Sequence, residues 1–242
     1  MLIQAGVHCL IEKPVTTNLE QSKALVDMAK SNQVKVAVGH IERFNPAFAT
    51  TLSIFKSHRW DNICLSRFNP SSIRLRGDSV VYDLMIHDID LAVNMLDLTP
   101  NSSLSVNATS LHADKPDYVV ATYNSVQGTN VQICCGRLPG PKVRLIEATG
   151  PDGELMVDLL KRRFHFKRSK SGLANINGWD VQSQYSNHLK LQTESFFEYI
   201  TTENHQVICL VEEAREVMEL CQMIDDESKR IIRNLSINHL EK

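Results

Sequence analysis

Three side chains in this sequence have the types and the spacing needed to move a proton. Lys13 sits in Glu12-Lys13-Pro14, at the end of a short apolar run, and Asp83 and His87 stand four apart about seventy residues later. Four residues is roughly one helical turn, so on a helix these two side chains share a face. A lysine, a carboxylate and an imidazole that titrates near neutrality can together take the proton from a hydroxyl as a hydride leaves the same carbon. Asp90 and Asn94 continue the row, and a solvated helix face would read the same way.

The segments around these residues give them context. Leu2 to Ala5 reads as the last turn of a helix closed by Gly6. Val7 to Ile11 and Val34 to Val38 are nearly unbroken apolar runs, as expected of parallel strands covered on both faces. Between them a helix capped by Thr17 or Asn18 carries an apolar stripe of Leu19, Ala24, Leu25, Met28 and Ala29, which completes a βαβ unit. A helix follows from Asn45-Pro46 to about Ser57, then a strand near Asn62 to Phe68 and a turn-rich loop from Pro70 to Asp78. Val81, Met85, Ile89, Ala92 and Leu96 mark the buried face of a helix over Val80 to Leu96.

Beyond Pro100 the pattern becomes strand-like. Six strands, over Leu104–Leu111, Tyr118–Val126, Val131–Leu138, Leu145–Thr149, Glu154–Leu159 and Arg163–Lys167, predict a mostly antiparallel sheet with tight turns at Gln127-Gly128 and Pro151-Asp152-Gly153. A polar loop from Ser169 to Ser186 and helices over His188–Thr201 and Val211–Asp225 close the chain. The fold class is α/β at the N-terminus and α+β beyond it: a partial Rossmann-type parallel sheet over 1–44, then an open-sheet domain over 45–242.

Bulk properties narrow the classes further. The 242 residues include 26 basic and 28 acidic ones, interspersed, for a net charge of −2, which argues against nucleic acid and against a polybasic membrane anchor. No apolar run approaches the roughly 18 residues of a membrane span. Six scattered cysteines without C-x-x-C spacing read as free thiols in a reducing cytoplasm, and no metal site is expected from the scattered histidines.

The string Asp83-Leu84-Met85-Ile86-His87-Asp88-Ile89-Asp90-Leu91, taken in order with Glu12-Lys13-Pro14 and Gly39-His40-Ile41-Glu42-Arg43-Phe44-Asn45-Pro46, resembles the Gfo/Idh/MocA family of NAD(P)-dependent oxidoreductases. Ile146 to Leu155 is similar to the family's sheet hairpin, and Glu194 to Ile200 to its late helix. The resemblance implies a Rossmann domain followed by a sheet domain that binds substrate and mediates a homo-oligomer. It implies Lys13 as the catalytic lysine, His87 as general acid/base and Asp83 as an orienting carboxylate. Glu12, Lys13, Pro14, Arg43 and Asn45 would line the nicotinamide side of NAD or NADP, and the Lys13–Pro14 bond would be cis. The expected substrate is a small molecule, a secondary alcohol of a sugar. The strings are most similar to members acting on nucleotide-activated amino sugars, where Arg74 and Arg76 would join Lys13, Asp83 and His87 in meeting the substrate.

In one respect the sequence departs from the family. No two of its ten glycines are separated by one residue, so G-x-G-x-x-G is not written in these 242 residues. The acidic residue that follows that loop is missing with it. The expectation is an N-terminally truncated member that binds dinucleotide poorly, and the alternative is a catalytically inactive remnant serving as a binding or oligomerisation module.

Overall fold

The computed structural model describes residues 2–16, 18–70, 79–96, 98–110, 115–125, 128–169, 176–178 and 187–240. Two sheets organise these residues. The smaller has the order β1(Cys9–Ile11), β2(Val36–Val38), β11(Cys209–Leu210), with β1 parallel and β11 antiparallel to β2. A 3₁₀ turn at Ile3–Ala5 precedes it, and Gly6 closes that turn at φ +76° by donating its N–H to the Ile3 carbonyl. Helix α1(Leu19–Ser31) makes the β1–β2 crossover and is capped by the Asn18 side chain, which accepts from the Gln21 N–H. Thr17, the other candidate cap, lies outside the described residues.

β2 is fully buried, but β1 is only half-buried, a departure from the strand covered on both faces that the apolar run suggests. Among the described residues nothing pairs with the outer edge of β1. The α1 stripe is divided accordingly. Val26 and Ala29 are buried with Ile3, Val34, Val36 and Val211; Leu25 and Met28 pack against that cluster only partly buried and, with Ala24, also line an open apolar hollow of about 880 Å³ beside Leu10, Ile11 and Val15.

The larger sheet has eight strands where about six were expected. Its order is β10(Ile176–Gly178), β9(Arg163–Arg168), β8(Gly153–Asp158), β7(Val143–Gly150), β3(Asn62–Asn69), β6(Asn130–Arg137), β5(Tyr118–Asn124), β4(Ser103–Thr109). Every pairing is antiparallel except β3 with β6. The early strand at 62–69 thus becomes a central one, and Ile176–Gly178 extends the edge within a segment that reads in sequence as a polar loop. Alternation sends Ile63, Leu65, Val119, Ala121, Ile133, Ile146 and Val157 into the core. Helices α2(Pro46–Ser57) and α3(Ile86–Leu96) pack with this face, as does the last helix.

Two helices differ from their sequence reading. The Val80–Leu96 helix begins as a π-helical turn at Val81–Met85 before α3. The final helix α5 runs Val211–Leu240, well past Asp225, because Ser228 and Ile232 keep its face buried. It packs against α1, α3 and β4, while α4(His188–Thr202) packs against the 3₁₀ turn at Ile41–Phe44. No helix among the described residues is long and apolar enough to cross a membrane.

Candidate functional site

β1 and β2 both end where α3 begins. In a parallel sheet the carboxyl ends of the strands open onto the ligand crevice, and Glu12-Lys13 and Gly39-His40 occupy these two ends. A Cβ on Gly39 would stand 3.1 Å from the Glu12 carboxylate, so the bare glycine lets Glu12 lie against the neighbouring strand end. Lys13–Pro14 is a cis peptide bond.

The Lys13 ammonium donates to the backbone carbonyl of Asp83 at 2.7 Å, and this bond joins the strand end to the π turn. Burial lowers the lysine's pKa from its ordinary value, with the Asp83 charge opposing the shift. The Asp83 carboxylate points elsewhere and accepts from Arg137 Nη2 at 2.9 Å. Asp83 therefore contributes its carbonyl to Lys13 and its carboxylate to an arginine of β6. π turns recur at functional sites because they break the regular facing of side chains.

His87 lies on the first turn of α3, partly exposed, with its Nδ1 buried and without a hydrogen-bond partner among the described residues. Burial, then the charges of Arg67 and Lys13, hold its pKa well below the ordinary 6.5. The ring is neutral at pH 7 and can accept a proton. His40, fully buried at the end of β2, is lowered too, chiefly by burial against the opposing pull of Asp90.

Beneath these groups lies a layer of charge that the motifs do not announce. Arg67, on β3 and fully buried, donates to Asp88 through Nε (2.9 Å) and Nη2 (2.8 Å) and to Glu42 through Nη1 (3.1 Å). Arg144, directly opposite on β7, reaches the same Glu42 oxygen at 2.6 Å. Burial pushes the Glu42 carboxyl up, but Arg67 and Arg144 outweigh it and hold it low. At Asp88 burial prevails and the pKa rises. The available sequence signal is phase: Arg67 alternates with Ile63 and Leu65, and Arg144 with Ile146 and Ala148, so a charge falls on each inward face.

Arg43 and Asn45 are buried and committed within the fold. Arg43 forms a fork on Asp90 (2.7 to 3.0 Å) and reaches Glu213 at 2.9 Å. Asn45 caps α2 at the Ala47 N–H and donates to Glu42 and to the Leu159 carbonyl. The structure thus joins Lys13, flanked by Glu12 and Pro14, to Asp83 at the turn that leads into His87, while Arg43 and Asn45 are engaged elsewhere, with Asp90, Glu213, Glu42 and the Leu159 carbonyl. Arg74 and Arg76 lie outside the described residues. His40, Asp90 and Cys209 bring donor atoms within 4.8 Å of one another, but Asp90 already carries the Arg43 guanidinium, which repels a cation.

A model of the Gfo/Idh/MocA oxidoreductase family, with its NAD-binding Rossmann fold, matches residues 1–40. UDP-N-acetylglucosamine 3-dehydrogenase of Acidithiobacillus ferrooxidans is 32% identical over 172 residues, 70% of this chain and 54% of that protein. Myo-inositol dehydrogenase Hyg17 of Streptomyces leeuwenhoekii is 34% identical over 97 residues, 37% of this chain and 30% of its own length. The chain therefore spans about half or less of these relatives. A solved structure of the Acidithiobacillus enzyme, GnnA, superposes with a TM-score of 0.85 at 26% identity, over 95% of this chain and 73% of that one.

Proposed function

The chain belongs to the Gfo/Idh/MocA oxidoreductase family, and from that premise we propose that it carries the substrate and proton-transfer half of an NAD(P)-dependent reaction at a secondary alcohol of a sugar. The sugar is that of a nucleotide sugar, as the name of the Acidithiobacillus relative suggests. Residues 1–44 serve as the dinucleotide-facing part and 45–242 as the substrate part, to which β11 is an exception because it returns to the first sheet. A homo-oligomer forms through the face of the large sheet turned away from α3. The six free cysteines suit a cytoplasmic location.

The observation that carries this reading is the Lys13 ammonium fixed on the Asp83 carbonyl beside a neutral imidazole with an unpartnered nitrogen. One N–H of Lys13 is used on Asp83, which leaves two for the reacting hydroxyl. Hydrogen bonds from the ammonium stabilise the alkoxide, and His87 takes the proton. Arg137 holds Asp83 and thereby the carbonyl that positions Lys13. A nicotinamide ring, when bound, supplies the hydride chemistry. The strand ends at Glu12-Lys13 and Gly39-His40 fit its reacting side, whereas a glycine-rich pyrophosphate loop is not written in these residues.

The test is NAD(P)H formation at 340 nm with UDP-N-acetylglucosamine and with myo-inositol. It would use the 242-residue chain alone and the same chain joined to a βαβ unit bearing G-x-G-x-x-G. The chain alone should show no micromolar NADH binding. The fusion should turn over, and Lys13→Met or His87→Ala should lower its kcat by roughly 10²–10⁴. Unchanged turnover in both variants would remove the roles given to these residues. A fusion that binds NADH but oxidises neither substrate would favour the binding-module alternative.

A further inference from the structure

Arg144 and Lys142 take no part in the proton transfer assigned to Lys13 and His87. Arg144 is the second residue of β7, and Lys142 immediately precedes that strand. Arg144 lies directly across from Arg67. Like charges directly opposite on neighbouring strands destabilise a sheet unless something intervenes, and here the intervening group is a single oxygen, Glu42 Oε1, which accepts from both guanidinia. Asp88 is already engaged by the fork of Arg67. Three cations, Arg67, Arg144 and Lys142, thus share two buried carboxylates.

The imbalance falls on the side nearer solvent. Lys142 is exposed; Arg144 and Arg67 repel it and Glu42 attracts it. Arg144 spends Nη1 on Glu42, yet its Nε is buried with no partner among the described residues. Arg144 shares the Glu42 oxygen with Arg67, whose fork holds Asp88, the chain neighbour of His87, so this cationic corner adjoins the groups assigned to proton transfer. An arginine with a spare donor and a lysine beside it suit an oxyanion, which a guanidinium meets in a planar fork and an ammonium as a point charge.

Resting on the sugar oxidation proposed for the neighbouring site, we infer that Arg144 and Lys142 form an anion subsite beside it, and that they select substrates whose sugar carries an oxyanion such as a phosphate, a diphosphate or a carboxylate.

The experiment is calorimetric titration of the 242-residue chain with inorganic pyrophosphate, followed by uridine diphosphate and glucuronate to separate the phosphate and carboxylate sources. Pyrophosphate should bind, and binding should weaken as salt is raised. Arg144→Gln should weaken it by at least about tenfold, the loss expected for a charge-assisted hydrogen bond. Arg144→Lys should recover part of that loss, and Lys142→Gln should weaken binding about threefold. Because Lys142 is exposed, its variant carries the test even if Arg144→Gln fails to fold. Absence of pyrophosphate binding by the wild-type chain, or equal affinity in Lys142→Gln and in a folded Arg144 variant, would overturn the subsite. Hydride transfer plays no part in this readout. Loss of the proposed sugar oxidation would leave the titration result standing, and the converse also holds.

Discussion

At the level of single residues, the proton transfer proposed for His87 depends on its staying neutral. Its folded pKa is depressed, first by burial and then by Arg67 and Lys13. The imidazole should therefore remain neutral at pH 6 in long-range ¹H–¹⁵N spectra, and His40 should behave likewise. A His87 midpoint at or above 6.5 would refute this. The sign of the stability effect follows from linkage. As pH falls through about 6.5 the unfolded chain binds protons that the folded chain refuses, so the thermal midpoint should hold above that pH and decline below it. His87→Asn should make the decline shallower. The strand end at Lys13 and the helix carrying His87 were legible in sequence, but the shared face expected of Asp83 and His87 was not met, because Asp83 lies in a π turn and its carboxylate goes to Arg137. The partners Arg67, Arg137, Arg144, Glu42 and Asp88 were not legible: Arg67 and Arg144 carry the phase of inward positions, but alternation does not say which acids meet them, and Glu42 and Asp88 lie in a 3₁₀ turn and a helix far away in sequence. Only the register of β3, β6 and β7 shows that these arginines face a helix that carries acids.

At the level of elements, periodicity located most helices and strands, while ends and partners had to come from tertiary packing. The helix at 46–57 was readable from Asn45-Pro46, since the asparagine side chain caps it and proline suits its first turn. The extension of α5 past Asp225 was not readable, because polar residues dilute the stripe there and the burial of Ser228 and Ile232 comes from packing beyond the helix itself. Membership of β3 in the large sheet was equally hidden: alternation predicts a strand but not its neighbours. Turn chemistry was better expressed. Gly153 has φ +151°, and a Cβ there would fall 2.3 Å from the Lys167 carbonyl across the sheet, whereas Gly128, at φ +86°, faces open space. Gly153→Ala should cost at least about 2 kcal/mol and Gly128→Ala only about 1 kcal/mol. Urea midpoints would check the pair, and equal losses would show that the close approach to β9 carries no weight.

At the level of the whole molecule, the large sheet leaves one face outside the core. Phe68 and Tyr118 stack on it with ring centroids 6.1 Å apart, and Met156, on β8 of the same sheet, is 40% exposed. If this face joins two copies, light scattering on a sizing column should give twice the monomer mass, and Val120→Lys together with Met156→Lys should return it to one. A monomeric wild type at micromolar concentration would refute the assembly. The small sheet bears on a different matter, the order of events in time. Its third strand, Cys209–Leu210, pairs with Val38 and Ala37 from the opposite end of the polypeptide. Contacts so distant in sequence must close a long loop before they contribute anything. During synthesis at about 5–20 residues per second, β1, α1 and β2 therefore wait on the order of ten to thirty seconds for the strand and helix that cover them. Over that interval the flank of β2 that Cys209–Leu210 later pairs with is open, and a chaperone that shields it would favour correct pairing.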